Sequence, residues 1–146
     1  MNRIIDYVFY RVYLEYEKYN HPPIFSSILY ISTSLEFLFL PIAAPLCYIM
    51  RGKDDALPVI CILSYFVLIH IFTSIRYLQH DKIINLRCDY SGFRLNNIIP
   101  TWAFWLILPI CVCWGVAGVI LIVKHIINPY GLTGIGYDFI VNLFGK

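Results

Sequence analysis

IFSSILYISTSLEFLFLPIAAPLCYIM, residues 24–50, decides the fold, and Glu36 is the one charge in it. A helix needs about 20 mainly apolar residues to span the hydrocarbon of a bilayer. This run has length to spare, and Pro41 and Pro45 each remove a helix donor, so it should tilt or kink. A carboxylate at bilayer depth costs roughly 2.5–3.5 kcal/mol on insertion scales. A chain that keeps one uses it for an ion path, a proton step or a bond to another helix, which makes Glu36 the leading candidate for a functional group.

Two further stretches are long enough to cross, Leu57–Tyr77 and Trp102–Val123, so the spans read 24–50, 57–77 and 102–123. The composition agrees. Of the 146 residues 60% are hydrophobic and 14% charged, with a mean hydropathy of +0.70. Soluble domains are about 45–50% apolar and about 25% charged. The net charge of +2 is too small for a nucleic-acid binder, and none is expected. The first 20 residues carry charge throughout and contain no apolar stretch of the kind a cleavable signal needs.

Outside the spans, residues 2–18 read as an amphipathic helix. Ile4, Ile5, Val8, Phe9, Val12, Tyr13 and Tyr16 form an apolar stripe, with Arg3, Arg11, Glu15 and Lys18 mostly opposite. Tyr7, Tyr10, Tyr13, Tyr16 and Tyr19 recur every three residues, and that period drifts around a helix of about 3.6 residues per turn. Tyrosine favours the membrane–water boundary, so an in-plane interfacial helix is expected, with Tyr7, Tyr10, Tyr13 and Tyr16 as anchors. Arg76, Tyr77, Trp102 and Trp105 read as anchors at the span ends, and the deeper Trp114 as a packing residue. Arg51–Asp55 reads as a tight polar turn, and a short helix is expected before Ser91-Gly92. Residues 131–146 are too short to span and read as an interfacial tail.

Arg3, Arg11, Lys18, Arg76, Lys82, Arg87 and Arg94 fall on one side of the spans, against Arg51, Lys53, Lys124 and Lys146 on the other. The positive-inside rule then places the N-terminus in the cytoplasm and the C-terminus outside. Cys47 and Cys61 are equidistant from Asp54 and so sit at matching depth. They serve as small packing residues or, in an oxidising compartment, as a disulfide.

Glu36 lies twelve positions past Ile24, roughly 18 Å in at about 1.5 Å per residue. The same depth falls near Ser64 and Tyr65 in the second span, whereas His70 lies nearer the inner boundary. Ser64 or Tyr65 is therefore the expected partner of Glu36. Ser32 and Thr33 precede Glu36 by four and three residues and share its face. Glu36, Thr33, Ser32, Ser64, Tyr65 and His70 thus make up a polar face that serves either helix packing or a water-lined path. Gly115 and Gly118 form a flat patch against which another helix can press.

Phosphate loops, HExxH and Gly-x-Ser-x-Gly are absent, and GLTGIG at 131–136 matches no nucleotide fingerprint. No cofactor, metal site or catalytic residue is expected. The chain reads as a single all-α integral membrane domain, 1–146, with the lipid bilayer and either further copies or another membrane protein as partners. The leading expectation is a self-associating, channel-like or membrane-perturbing protein of a bacterial inner membrane, with class analogy alone pointing to a defence or toxin effector. The alternative is a non-catalytic accessory or immunity-type subunit. Both expectations require a second molecule to cover the Glu36 face.

Overall fold

Prolines mark where the helices begin. Pro23 opens α2 (Pro23–Ile49) at the position where a missing N–H is harmless. Pro58 falls in the first turn of α3 (Ala56–Tyr77), and Pro100 precedes α6. In this computed structural model residues 2–19, 21–50 and 56–132 are described, and every regular element among them is helical. The remaining elements are α1 (Asn2–Lys18), α4 (His80–Tyr90), α5 (Leu95–Ile98), α6 (Thr101–Trp105), α7 (Ile107–Ile122), a π-helical turn (Val123–Ile127) and α8 (Asn128–Tyr130). The expected polar turn at 51–55 and the tail beyond Leu132 lie outside the described residues.

Three helical stretches are long and apolar enough to cross a membrane: Pro23–Ile49, Ala56–Tyr77 and Thr101–Tyr130. The first two match the expected bounds, and helix α2 continues through both Pro41 and Pro45. The third runs seven residues past the expected Val123. It stops at Gly131, whose φ of 59° puts it in the left-handed region that glycine tolerates. Gly131 N–H bonds the Asn128 carbonyl at 3.3 Å and Leu132 N–H the Ile127 carbonyl at 3.2 Å, a glycine-terminated helix end.

The chain divides into two compact units, Met1–Leu35 with Ile69–Cys111, and Glu36–Leu68 with Val112–Lys146. In the first unit α1 is a core element. Phe9 and Val12 are 1% exposed, and Tyr7, Tyr10 and Tyr13 are buried with them. The Phe9 and Tyr77 rings stack at 3.9 Å. Tyr7 packs on Tyr90, Phe93 and Phe104 at 5.5–5.8 Å. A helix lying on a bilayer keeps its polar face in water, whereas the mid-helix polar residues Asp6 and Arg11 are buried here. Tyr7, Tyr10 and Tyr13 thus meet protein rather than headgroups. Rings spaced by three wrap the cylinder, and protein surrounds most of it. Tyr16 is half-buried against Trp105 at 5.3 Å. Helix α4 ends before Ser91-Gly92, as its pattern implied, and buries Leu86.

The third span is interrupted at Leu106, between α6 and α7. Pro109 has no N–H for the Trp105 carbonyl, and the ladder opens there. The Tyr30 hydroxyl from α2 fills the opening: it accepts from Leu108 N–H at 3.2 Å and donates to the Phe104 carbonyl. In an unbroken helix those two backbone groups would bond each other. A side-chain hydroxyl has been inserted into the ladder, and Tyr30 is 5% exposed.

In the second unit α2 and α7 approach closely. A Cβ added at Gly115 would fall 2.6 Å from the Phe37 carbonyl oxygen, and one at Gly118 would fall 2.6 Å from the Pro41 ring. Pro41 cannot donate to that Phe37 carbonyl, so glycine lets α7 sit against a carbonyl that has lost its helical partner. Gly115→Ala is expected to lower stability by about 1–3 kcal/mol, the usual range for overpacking. Thermal unfolding in detergent checks this. Trp114 is 58% exposed and does not pack, since its neighbour Gly115 holds the buried face. All five cysteines are free thiols, Cys47 and Cys61 included.

Candidate functional site

Helix α2 carries its polar residues on the covered side. Ser27 and Ser32 are 0% exposed, Ser34 6% and Glu36 4%. Of the apolar stretch of this span 44% is buried inside the chain, against 6% for each of the other two. Glu36 is thus enclosed within its own chain, where the sequence suggested a second molecule as its cover. The reason is that α2 is the span most enclosed by its own chain.

Each hydroxyl in this region has a specific use. Ser34 Oγ donates to the Tyr30 carbonyl at 2.8 Å, a back-bond within the helix. Ser32 Oγ donates to the Leu29 carbonyl at 3.0 Å and also lies 2.8 Å from His70 Nδ1. A hydroxyl has one hydrogen. That hydrogen serves one of the two contacts, and the tautomer of His70 sets the direction of the Ser32–His70 bond. Tyr65 donates to the backbone carbonyl of Glu36 at 2.6 Å, so the residue expected at the Glu36 depth does reach it, through the main chain. Ser64, expected on the same face, is exposed. Its neighbour Tyr65 takes the inward position, and adjacent residues on a helix do not share a face. Thr33 is half-buried in a shallow recess with Tyr16, Ser26 and Leu29.

The larger polar cluster was not anticipated. Asp6 Oδ1 accepts from Arg76 Nε at 3.2 Å, Arg76 Nη2 at 2.8 Å and the Tyr77 hydroxyl at 2.8 Å. Its Oδ2 accepts from Lys82 Nζ at 3.2 Å. Burial alone would push this carboxyl up, but the bonds from Arg76, Tyr77 and Lys82, with the charge of Arg76, hold it below the ordinary carboxylate range. Arg76 and Tyr77, expected as interfacial anchors, instead tie α3 to α1, and Tyr77 is 0% exposed. A charged group taken out of water needs such partners. The signal in the sequence was Asp6 itself, an acid three, four and seven residues before Phe9, Tyr10 and Tyr13, on the same helical face.

Arg11 makes a second tie. Its guanidinium bonds Asn96 Oδ1 at 3.1 Å and the Asn96 and Ile99 carbonyls at 3.2 Å, and sits 5.0 Å from the centre of the Phe104 ring. Glu17 and Arg87 pair at 2.5 Å with both side chains about half exposed, and such a pair contributes little. Trp102 is 64% exposed and Trp105 39%, positions consistent with a boundary role.

Among the described residues no group of three or more His, Cys, Asp or Glu could hold a metal ion. Comparison with protein-family models, with curated proteins and with solved structures gives no match.

Proposed function

We propose that this chain is a non-catalytic integral membrane subunit that works by associating through its helices with another membrane protein. The observation that carries this reading is Glu36 at 4% exposure within a single chain. An acid sealed by its own chain needs no further copies to cover it. The outward surfaces left for a partner are the apolar faces of α3 and α7, where Val67, Leu68, Ile110, Val116 and Ile120 are about half exposed or more. The excess of Lys and Arg on the α1 side supports a cytoplasmic N-terminus in a bacterial inner membrane, with α1 on the cytoplasmic face. Mass measurement of the purified chain in native nanodiscs is expected to give one copy, and a discrete homo-oligomer would overturn the reading.

A second reading, a self-assembling channel-like or membrane-perturbing protein, is favoured by the Ser32–His70 bond beside a buried run of hydroxyls. Chains of hydroxyl, imidazole and carboxyl groups in a span are the usual parts of a proton or ion path. This reading expects Glu36→Gln to change the conductance or leak of reconstituted liposomes. Unchanged traces would remove it.

A further inference from the structure

The Asp6 cluster has more charge than it needs. Arg76 and Lys82 supply two positive charges, and Asp6 supplies one negative. An arginine has five N–H donors and a lysine three. Arg76 spends two on Asp6 and Lys82 one. Both cations remain partly open, with side chains 21% and 30% exposed.

They open onto a cleft of about 460 Å³ lined by Asp6, Phe72, Ile75, Arg76, Gln79 and Lys82. One wall is therefore basic and polar. The other wall is the lipid-exposed surface of α3, with Phe72 63% and Ile75 64% exposed. The cleft sits at the end of a helix long enough to cross the bilayer. A larger cleft of about 530 Å³, which shares Asp6 and Lys82, is also lined by Arg3 and Asp89, so its charges cancel. Of these two clefts, the smaller joins surplus positive charge to apolar surface.

We propose that this cleft binds the headgroup of an anionic phospholipid, with the phosphate at the open donors of Arg76 and Lys82 and the acyl chains along Phe72 and Ile75. An inorganic anion offers the same phosphate chemistry but nothing to cover those two apolar side chains, so lipid is the source the geometry favours. The surface of a cytoplasmic leaflet carries such lipids, and basic pockets beside spanning helices recognise them. The inference rests on α3 crossing the bilayer and is independent of whether the partner is another protein or another copy.

The test uses the full-length chain in detergent, titrated with phosphatidylglycerol or phosphatidylcholine, with retained lipid counted by native mass spectrometry. The wild type should retain phosphatidylglycerol in clear preference. Lys82→Gln should weaken that preference about fivefold, which corresponds to ~1 kcal/mol per basic residue at an anionic surface. Gln79→Glu should weaken it by a similar factor. Gln79 is exposed, and an acid there precedes the N-terminus of α4, where negative charge is favourable, so this variant stays folded. Lys124→Gln should match the wild type. Equal retention of the two lipids, or wild-type retention by both Lys82→Gln and Gln79→Glu, would overturn the proposal. So would displacement of the lipid by excess inorganic phosphate, which would mark a general anion site. Alkaline carbonate extraction of the same variants from membranes reports separately on the spanning assignment.

Discussion

Tyr30→Phe lowers the unfolding free energy of the detergent-solubilised chain by roughly 3 kcal/mol, because leaving one buried polar group unpaired costs about 1–3 kcal/mol and this change affects two. The groups are Leu108 N–H and the Phe104 carbonyl, both served by one hydroxyl. Phenylalanine keeps the ring, which packs on Trp105 at 5.5 Å, so little apolar burial is lost. The opposing effect is closure of the ladder, with Leu108 bonding Phe104 directly once the hydroxyl is gone. Pro109 limits that closure, since the Trp105 carbonyl still has no helical donor. Near-wild-type stability in a denaturant or thermal series would show that the span closes its own gap and that Tyr30 is a packing residue only.

Asp6→Asn is expected to cost roughly 3 kcal/mol, the low end for breaking a buried charge pair. The low end applies because Arg76 and Lys82 are 21% and 30% exposed and regain some water. The variant should also change the pH dependence. The folded state holds Asp6 below its ordinary value of 3.8, so at low pH the unfolded chain binds the proton more readily than the native one. The stabilisation is complete above about pH 5 and is lost as pH falls through 4 toward the folded value. Wild-type stability should fall over that range, and the Asp6→Asn curve should lack that component. Parallel curves for the two proteins would show that Asp6 titrates as an ordinary surface acid.

What could be read from the sequence depended on range. Hydropathy runs are local, so the three spans emerged from the chain alone, and helical spacing put Ser32 on the Glu36 face. Depth along a span is also nearly local, which is why Tyr65 was placed at the Glu36 level. Partners across the fold were not accessible in this way. Arg76 and Tyr77 look like boundary anchors until α1 is brought against α3, and only then do they converge on Asp6. Tyr30 looks like one more apolar ring until the break at Leu106 exists for its hydroxyl to fill. The rings of α1 point to the same lesson. Tyrosine suits a lipid boundary and a wet protein interior equally well, and buried Asp6 and Arg11, rather than the tyrosines, distinguish the two environments.

Whether one chain can seal an acid at bilayer depth is answered most directly by carbodiimide labelling of the protein in nanodiscs, with Glu36 followed by peptide mass. A lipid-soluble carbodiimide reaches carboxyl groups that face acyl chains, and a water-soluble one reaches those that face water. Glu36 should resist both reagents in the folded chain and react with both after denaturation. Modification of Glu36 by either reagent in the native protein would contradict the account, since its side chain would then open to lipid or to water.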